Sequence, residues 1–464
     1  MNAGSHTRFA TSPAVALVLA AFWLSLSMPA RGQNPSPITL PQAVKIAMEK
    51  NPARKAALAD TKAASADVQQ ARSSLLPHVL FSETITDGND PVYVFGAKLR
   101  QQQFTTADFA LNALNKPTPF TNFATGFGGT WNLFDSFANS HAINRAERAQ
   151  DAAKHEVARA DQEVVFRVIE AYYGVLLARS EVGVAQQAIK TTQSILQLSK
   201  NRVDSGVAIR SDYLSAQVRF AMRQQELIRA QNNLSLARVQ LSIAMGLPAA
   251  EEFDPTNALV VTKLPAISLE DAEKSAIKNR PDLQQARSEE AAQQQSVAMA
   301  KASFGPRVDG FANWELDNPT LASGGGGNNW TAGVEISFDL FEGGAKRAQL
   351  AHEEALATKL AANREMAADQ IQLQVRRAYY DLDSTRQQIE VTRSSVAESR
   401  ESLRIDQNRY DAGLLTINDL LASEEMELRA QTDYLDALYR YYTGYANLEL
   451  SAGALGPQSP VVTP

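Results

Sequence analysis

The side chains that most often carry chemistry are sparse here, and their one notable clustering occurs twice. Cysteine is absent from the 464 residues, which excludes disulfides, Cys-ligated zinc, thiol nucleophiles and an N-terminal lipid-bearing Cys. His6, His78, His141, His155 and His352 are scattered, with no pair at metal-ligand spacing. No Ser/His/Asp set can be nominated on spacing. Gly126-Phe127-Gly128-Gly129 precedes no helix, so it does not read as a phosphate loop. What recurs is a polar turn. Asn201-Arg202-Val203-Asp204-Ser205-Gly206-Val207 runs into Ile209-Arg210-Ser211-Asp212. Asn408-Arg409-Tyr410-Asp411-Ala412-Gly413-Leu414 runs into Asp419-Leu420-Leu421. Gly206 and Gly413 permit positive φ and turn one helix into the next. Ser211 or Asp212, and Thr416 with Asp419, suit the N-terminus of the returning helix.

Long rods must carry these turns. Ser136 to Gly206 and Gly343 to Gly413 contain no proline, and 70 residues of helix span about 105 Å. Gly206 to Gly246 adds about 60 Å and Pro52 to Pro77 about 37 Å, so two short helices stacked end to end nearly match one long one. Tyr213, Phe220, Leu227, Leu234 and Leu241 are spaced by seven, and Ala216, Ala230, Ala237 and Ala244 form a second seam that Arg223 interrupts. In the second half the same register gives Ser423, Ala430, Ala437, Gly444 and Ser451. This is coiled-coil packing of helical hairpins side by side, with small residues letting backbones approach.

The chain reads as an internal duplication. Ile38-Thr-Leu-Pro-Gln-Ala returns at Ile267-Ser-Leu-Glu-Asp-Ala, and Asn51-Pro52 at Arg280-Pro281, an offset of 229 (267 − 38). Leu133-Phe134-Asp135 returns at Leu340-Phe341-Glu342 and Ala171-Tyr172-Tyr173 at Ala378-Tyr379-Tyr380, an offset of 207 (340 − 133). The difference of 22 is an insertion between Pro77 and Leu133. The repeats are 38–246 and 267–453 within one unit, 33–464, in which 454–464 reads as a loose tail.

Residues 1–32 carry Arg8 and Arg31, no acidic residue, an apolar run from Ala14 to Met28, and Ala30-Arg31-Gly32. That is the layout of a secretory signal peptide, the run being short of the ~20 residues a spanning helix needs. The chain is expected to be exported. Its 45 basic and 51 acidic residues leave a net charge of −6, which offers no electrostatic basis for nucleic-acid binding. A mean hydropathy of −0.26 excludes a polytopic helical membrane protein but not a β-barrel.

Four strand candidates lie between the helices. Trp330–Leu340 alternates strictly, with Trp330, Ala332, Val334, Ile336, Phe338 and Leu340 on one face. Phe123, Phe127, Trp131 and Leu133 share a face opposite Asn122, Thr130 and Asn132. Val308, Ala312, Trp314 and Leu316, and Val79, Phe81 and Ile85, make two weaker sets. Such strands suit a membrane barrel. Four cannot close one, since about eight is the minimum; two copies would supply eight strands and three would supply twelve. Gly88–Thr121 and Asn318–Asn329 read as loops outside the cell.

From Ile38 to Gly453 this pattern resembles the TolC-like family of outer membrane efflux proteins. The resemblance implies a mostly helical mixed α and β fold. Long coiled-coil hairpins would form a periplasmic α-barrel, and four strands per chain would join a 12-stranded transmembrane β-barrel in a homotrimer. It implies an exit duct in the outer membrane of a Gram-negative-type bacterium, serving tripartite efflux or type I secretion. The partners would be a periplasmic adaptor, an inner-membrane transporter and outer membrane lipid, with no nucleic acid, cofactor or enzymatic activity. Arg202, Gly206, Arg409 and Gly413 match tips that engage the adaptor. Ser211, Asp212, Tyr410 and Asp419 match the periplasmic gate, in which the carboxylate at Asp212 bonds the tyrosine at Tyr410. The arginine that would bond Ser211 is Leu415 here, and the acidic companion of Asp419 is Ala422. The alternative reading is a soluble periplasmic coiled-coil adaptor or scaffold, which would lack membrane-length strands.

Overall fold

A computed structural model describes residues 35–321 and 327–463; the expected signal peptide lies outside them. Both halves run through the same order of elements, and their matched helices are equal in length. The first has α1 (Leu40–Lys50), α2 (Pro52–Ser73), β2 (His78–Gly88), β3 (Phe120–Phe134), α5 (Ala138–Asp204) and α6 (Arg210–Ala244). The second has α7 (Leu269–Asn279), α8 (Pro281–Ala302), β5 (Arg307–Asn318), β6 (Gly327–Ser337), α9 (Ala345–Asp411) and α10 (Ile417–Ser451). Two short strands, β1 (Ser36–Ile38) and β4 (Phe253–Pro255), pair in parallel.

The 67 residues of α5 and of α9 make rods of about 100 Å each. Along the lower part of these rods α6 packs on α5 and α10 on α9; along the upper part α2 lies on α5, and α8 lies between α5 and α9. The short helices abut end to end. Gly246 and Gly453 end α6 and α10 at φ +75° and +70°, and a Cβ there would meet the backbone of Asn51 at 2.6 Å and of Arg280 at 2.8 Å. Only glycine fits a left-handed turn pressed that closely against the next helix start. Asn51 ties the first junction by accepting from the Ala53 amide and donating to the Ala244 carbonyl, both at 2.9 Å.

The main core lies where these junctions meet the β1–β4 pair. Tyr173 stacks on Tyr442 with centroids 4.2 Å apart. The Tyr441 and Tyr442 hydroxyls hold the connection between halves through the Thr262 and Val260 carbonyls. The tail expected to be loose is packed: Val461 and Val462 are fully buried in this core, with Leu455 beside them. Their apolar surface outweighs the loop-forming Pro and Gly around them.

The four long strands form one antiparallel sheet in the order β2-β3-β5-β6. The register aligns Phe81, Phe127, Trp314 and Trp330 in one row across it, with Phe81–Phe127 and Phe127–Trp314 ring centroids 5.2 and 6.1 Å apart. This row is exposed, Trp330 at 76%. The neighbouring rows on the opposite face hold Ser82, Glu315 and Asn329, then Thr84 and Asp317. Strand β6 ends at Ser337, short of the expected Leu340, because its partner begins at Arg307. Pro306 before it has no N–H to extend the ladder. The stretch Gly88–Thr121, expected to be loop, contains α3 (Pro91–Arg100), a 3₁₀ turn (Thr106–Phe109) and α4 (Leu111–Asn115).

Candidate functional site at the helical tips

Opposite the sheet, each long helix turns into its partner through the same device. The Gly206 and Val207 amides donate back to Val203 and Arg202, as those of Gly413 and Leu414 do to Tyr410 and Arg409. Both glycines have positive φ, +75° and +80°, the Schellman arrangement that satisfies the last carbonyls. The return helices start differently. Thr416 accepts from the Asp419 amide at 3.2 Å and donates to its carboxylate at 2.7 Å, so Asp419 belongs to an N-terminal cap. The α6 N-cap is Ile209, which has no side-chain cap. Ser211 and Asp212 therefore do not cap it; Asp212 sits in the first turn, where a carboxylate favours the helix dipole.

The Asp212–Tyr410 bond is not formed within the chain. Tyr410 is 2% exposed and its hydroxyl is buried without a partner. Its ring belongs to an apolar tip cluster with Ile195, Ala216, Leu403, Ile417, Leu420 and Leu421. Arg202 explains this placement. Its guanidinium lies 5.0 Å over the Tyr410 ring and donates from Nη1 to the Tyr410 and Asp411 carbonyls, both at 2.7 Å. A cation on the carbonyl end of α9 is favoured by the dipole and by the ring face. Arg202 is thus a clasp between the two tips, whereas Arg409, its counterpart, is exposed together with Gly206 and Gly413.

Above the tips lies a second site, at the residue that interrupts the alanine seam. Arg223, the interruption in the alanine stripe, is 1% exposed, and Glu424 is 2% exposed. Arg223 Nε and Nη2 meet the two Glu424 carboxylate oxygens at 2.9 and 2.7 Å. Nη1 donates to Glu226 and Nη2 also to Glu425. Burial works against the guanidinium charge, but its hydrogen bonds to the Glu424 and Glu226 carboxylates outweigh it and raise the Arg223 pKa. A lone arginine in a small-residue seam, with adjacent acids at 424 and 425 in the other half, was the available signal. Among the described residues no group of three or more His, Asp or Glu could hold a metal. No described helix is long and apolar enough to cross a membrane.

The family profile described as Outer membrane efflux protein matches residues 43–247 and 273–454. The alkaline protease secretion protein AprF of Pseudomonas aeruginosa is 25% identical over 430 residues, 88% of this chain and 83% of that protein. Protein CyaE of Bordetella pertussis is 26% identical over 428 residues, 90% and 83% respectively. Among solved structures, the outer membrane protein VceC of Vibrio cholerae superposes with a TM-score of 0.75 at 20% identity, covering 90% of this chain and 97% of that one.

Proposed function

This chain belongs to the family of outer membrane efflux proteins, and from that premise we propose that it is the trimeric exit duct of a tripartite efflux or type I secretion system. The observation that carries this reading is the sheet. Its two edges are open, one face bears the Phe81-Phe127-Trp314-Trp330 row and the other is polar. It stands at one end of rods about 100 Å long. An apolar face against lipid requires a closed sheet, because unpaired edge groups have no partner in hydrocarbon. Three copies give twelve strands and room for an aqueous lumen behind the polar face. The chain is then a passage, not a catalyst. The rods descend through the periplasm, and the tips form the entrance. Tyr410, Ser211, Asp212 and Asp419 act as its gate, with Arg202 fastening the two tips of each chain. Arg409, Gly206 and Gly413 are exposed to a periplasmic adaptor coupled to an inner-membrane transporter. The similarity to AprF, an alkaline protease secretion protein, supports export duty.

Fractionation followed by mass measurement in detergent tests this. The chain should remain with the outer membrane and run as a trimer. A soluble periplasmic protein, or a stable monomer or dimer, overturns the reading. Crosslinking in cells should retrieve an adaptor and a transporter.

A further inference from the structure

The segment Asn89–Pro119, longer by about the 22-residue insertion than its counterpart in the second half, is a folded piece with its own supports. Asp90 caps α3 by accepting from the Tyr93 amide at 2.9 Å. Phe95, Phe104 and Phe109 pack edge to face at 4.8 and 5.1 Å. Lys98 and Asp108 pair at 2.7 Å across the turn.

Its placement is one-sided. The Gln101 amide is 2% exposed, and its Nε2 lies 2.6 Å from Asn122 Oδ1, 3.0 Å from the Thr121 carbonyl and 3.1 Å from the Asn318 carbonyl. Asn122 donates on to Asp317 Oδ1 at 2.6 Å, and Asn329 donates to its other oxygen at 2.9 Å. Arg100 reaches Glu315 at 3.1 Å, and the Tyr93 hydroxyl donates to the Thr86 carbonyl at 2.7 Å. A Cβ at Gly327 would lie 1.5 Å from the Arg100 carbonyl oxygen, so the segment touches the β6 backbone directly. Asn122, Glu315, Asp317 and Asn329 all project from the face opposite the aromatic row. Burying the Gln101, Asn122 and Asp317 side chains in mutual hydrogen bonds fixes the position, since an unpaired buried amide or carboxylate is costly.

We infer that Asn89–Pro119 is a lid seated on the lumen face at the outer mouth, narrowing the exit and placing the Arg100–Glu315 pair in the path of the cargo. The inference rests on the duct reading, which makes the polar face the lumen. The corresponding β5–β6 connection, 319–326, is far too short to do the same.

The absence of cysteine allows a direct test. Asn313→Cys puts a thiol on the polar face, deeper than Glu315; Leu111→Cys puts one on the exposed lid. Both are labelled on intact cells with a membrane-impermeant maleimide, in the full chain, in a chain with residues 91–117 replaced by a short Gly/Ser linker, and, for Asn313→Cys, also with Gln101→Leu. Leu111→Cys should react rapidly in the full chain. Asn313→Cys should react slowly in the full chain, at least tenfold faster without the lid, and several-fold faster with Gln101→Leu. Equal Asn313→Cys rates in outer-membrane trimers overturn the lid and leave the duct standing. If the shortened chain fails to assemble, the Gln101→Leu comparison decides. Failure of Leu111→Cys to label from outside overturns the duct orientation, and the lid with it.

Discussion

Arg223 of α6 and Glu424 of α10 form a two-pronged ion pair, at 2.9 and 2.7 Å, that is almost entirely cut off from solvent. It joins the two hairpins of one chain in a seam otherwise built of small residues. Arg223→Ala leaves Glu424 charged and buried with no equivalent donor, so it should destabilise the assembled protein by about 3–5 kcal/mol per chain. Replacing both residues by Met should recover most of that loss. Thermal unfolding in detergent reads both. A double variant as unstable as Arg223→Ala would show that the pair itself is required.

At the tips, the clasp and the tyrosine hydroxyl should behave oppositely. Arg202→Ala removes two charge-assisted bonds to the Tyr410 and Asp411 carbonyls, each worth roughly 1.5–3 kcal/mol. We expect higher conductance in planar bilayers. Tyr410→Phe should leave conductance unchanged, because the hydroxyl has no partner to lose. An increase for Tyr410→Phe equal to that for Arg202→Ala would restore the Asp212–Tyr410 link as the gate.

On β6, Val334 shares the face of Trp330, and Glu335 projects from the other. Val334→Arg should cost about 2–4 kcal/mol per chain near the bilayer midplane, seen as loss of trimer from the outer membrane. Glu335→Arg should assemble normally and shift ion selectivity toward anions. Equal tolerance of the two would mean that the faces are not lipid and lumen.

Stability should also depend on pH through Glu449, beside the packed tail. Burial pushes its carboxyl up to about 7, against a smaller opposing effect of the Ser459 hydroxyl. The folded chain therefore holds a proton that the unfolded chain, titrating near 4.5, has released. This contribution is complete below pH 4.5 and is lost as pH rises to about 7. The loss is on the order of 2 kcal/mol. Glu449→Gln should remove that slope from melting curves recorded across this range; an unchanged slope assigns it to other groups.

The rods, strands and turns were legible because each is written in local pattern. Proline-free windows gave α5 and α9, alternation gave the sheet, and Gly206 and Gly413 marked the turns. What escaped depends on contacts between distant segments. Arg202 and Arg409 occupy matched positions, and nothing local says that one lies on the tip of the other half while the second stays exposed. Val461 and Val462 sit among Pro and Gly with no periodicity, so their burial was invisible. The lid is anchored by Arg100, the last residue of α3, and by Gln101 just after it, whose partners Glu315, Asn122 and Asn318 are contributed by strands from both halves.

The open edges of the sheet bear on how the protein is made. β2 and β6, 11 residues each, present ladders of unmatched amides and carbonyls. One freshly exported chain is ill suited to either phase: its aromatic row is unwelcome in water, and its edges are unwelcome in hydrocarbon. In the proposed trimer, insertion must therefore coincide with the meeting of three chains. Until then a newly made protomer is an aggregation hazard that needs shielding, and biogenesis should rise steeply, not linearly, with the local concentration of chains.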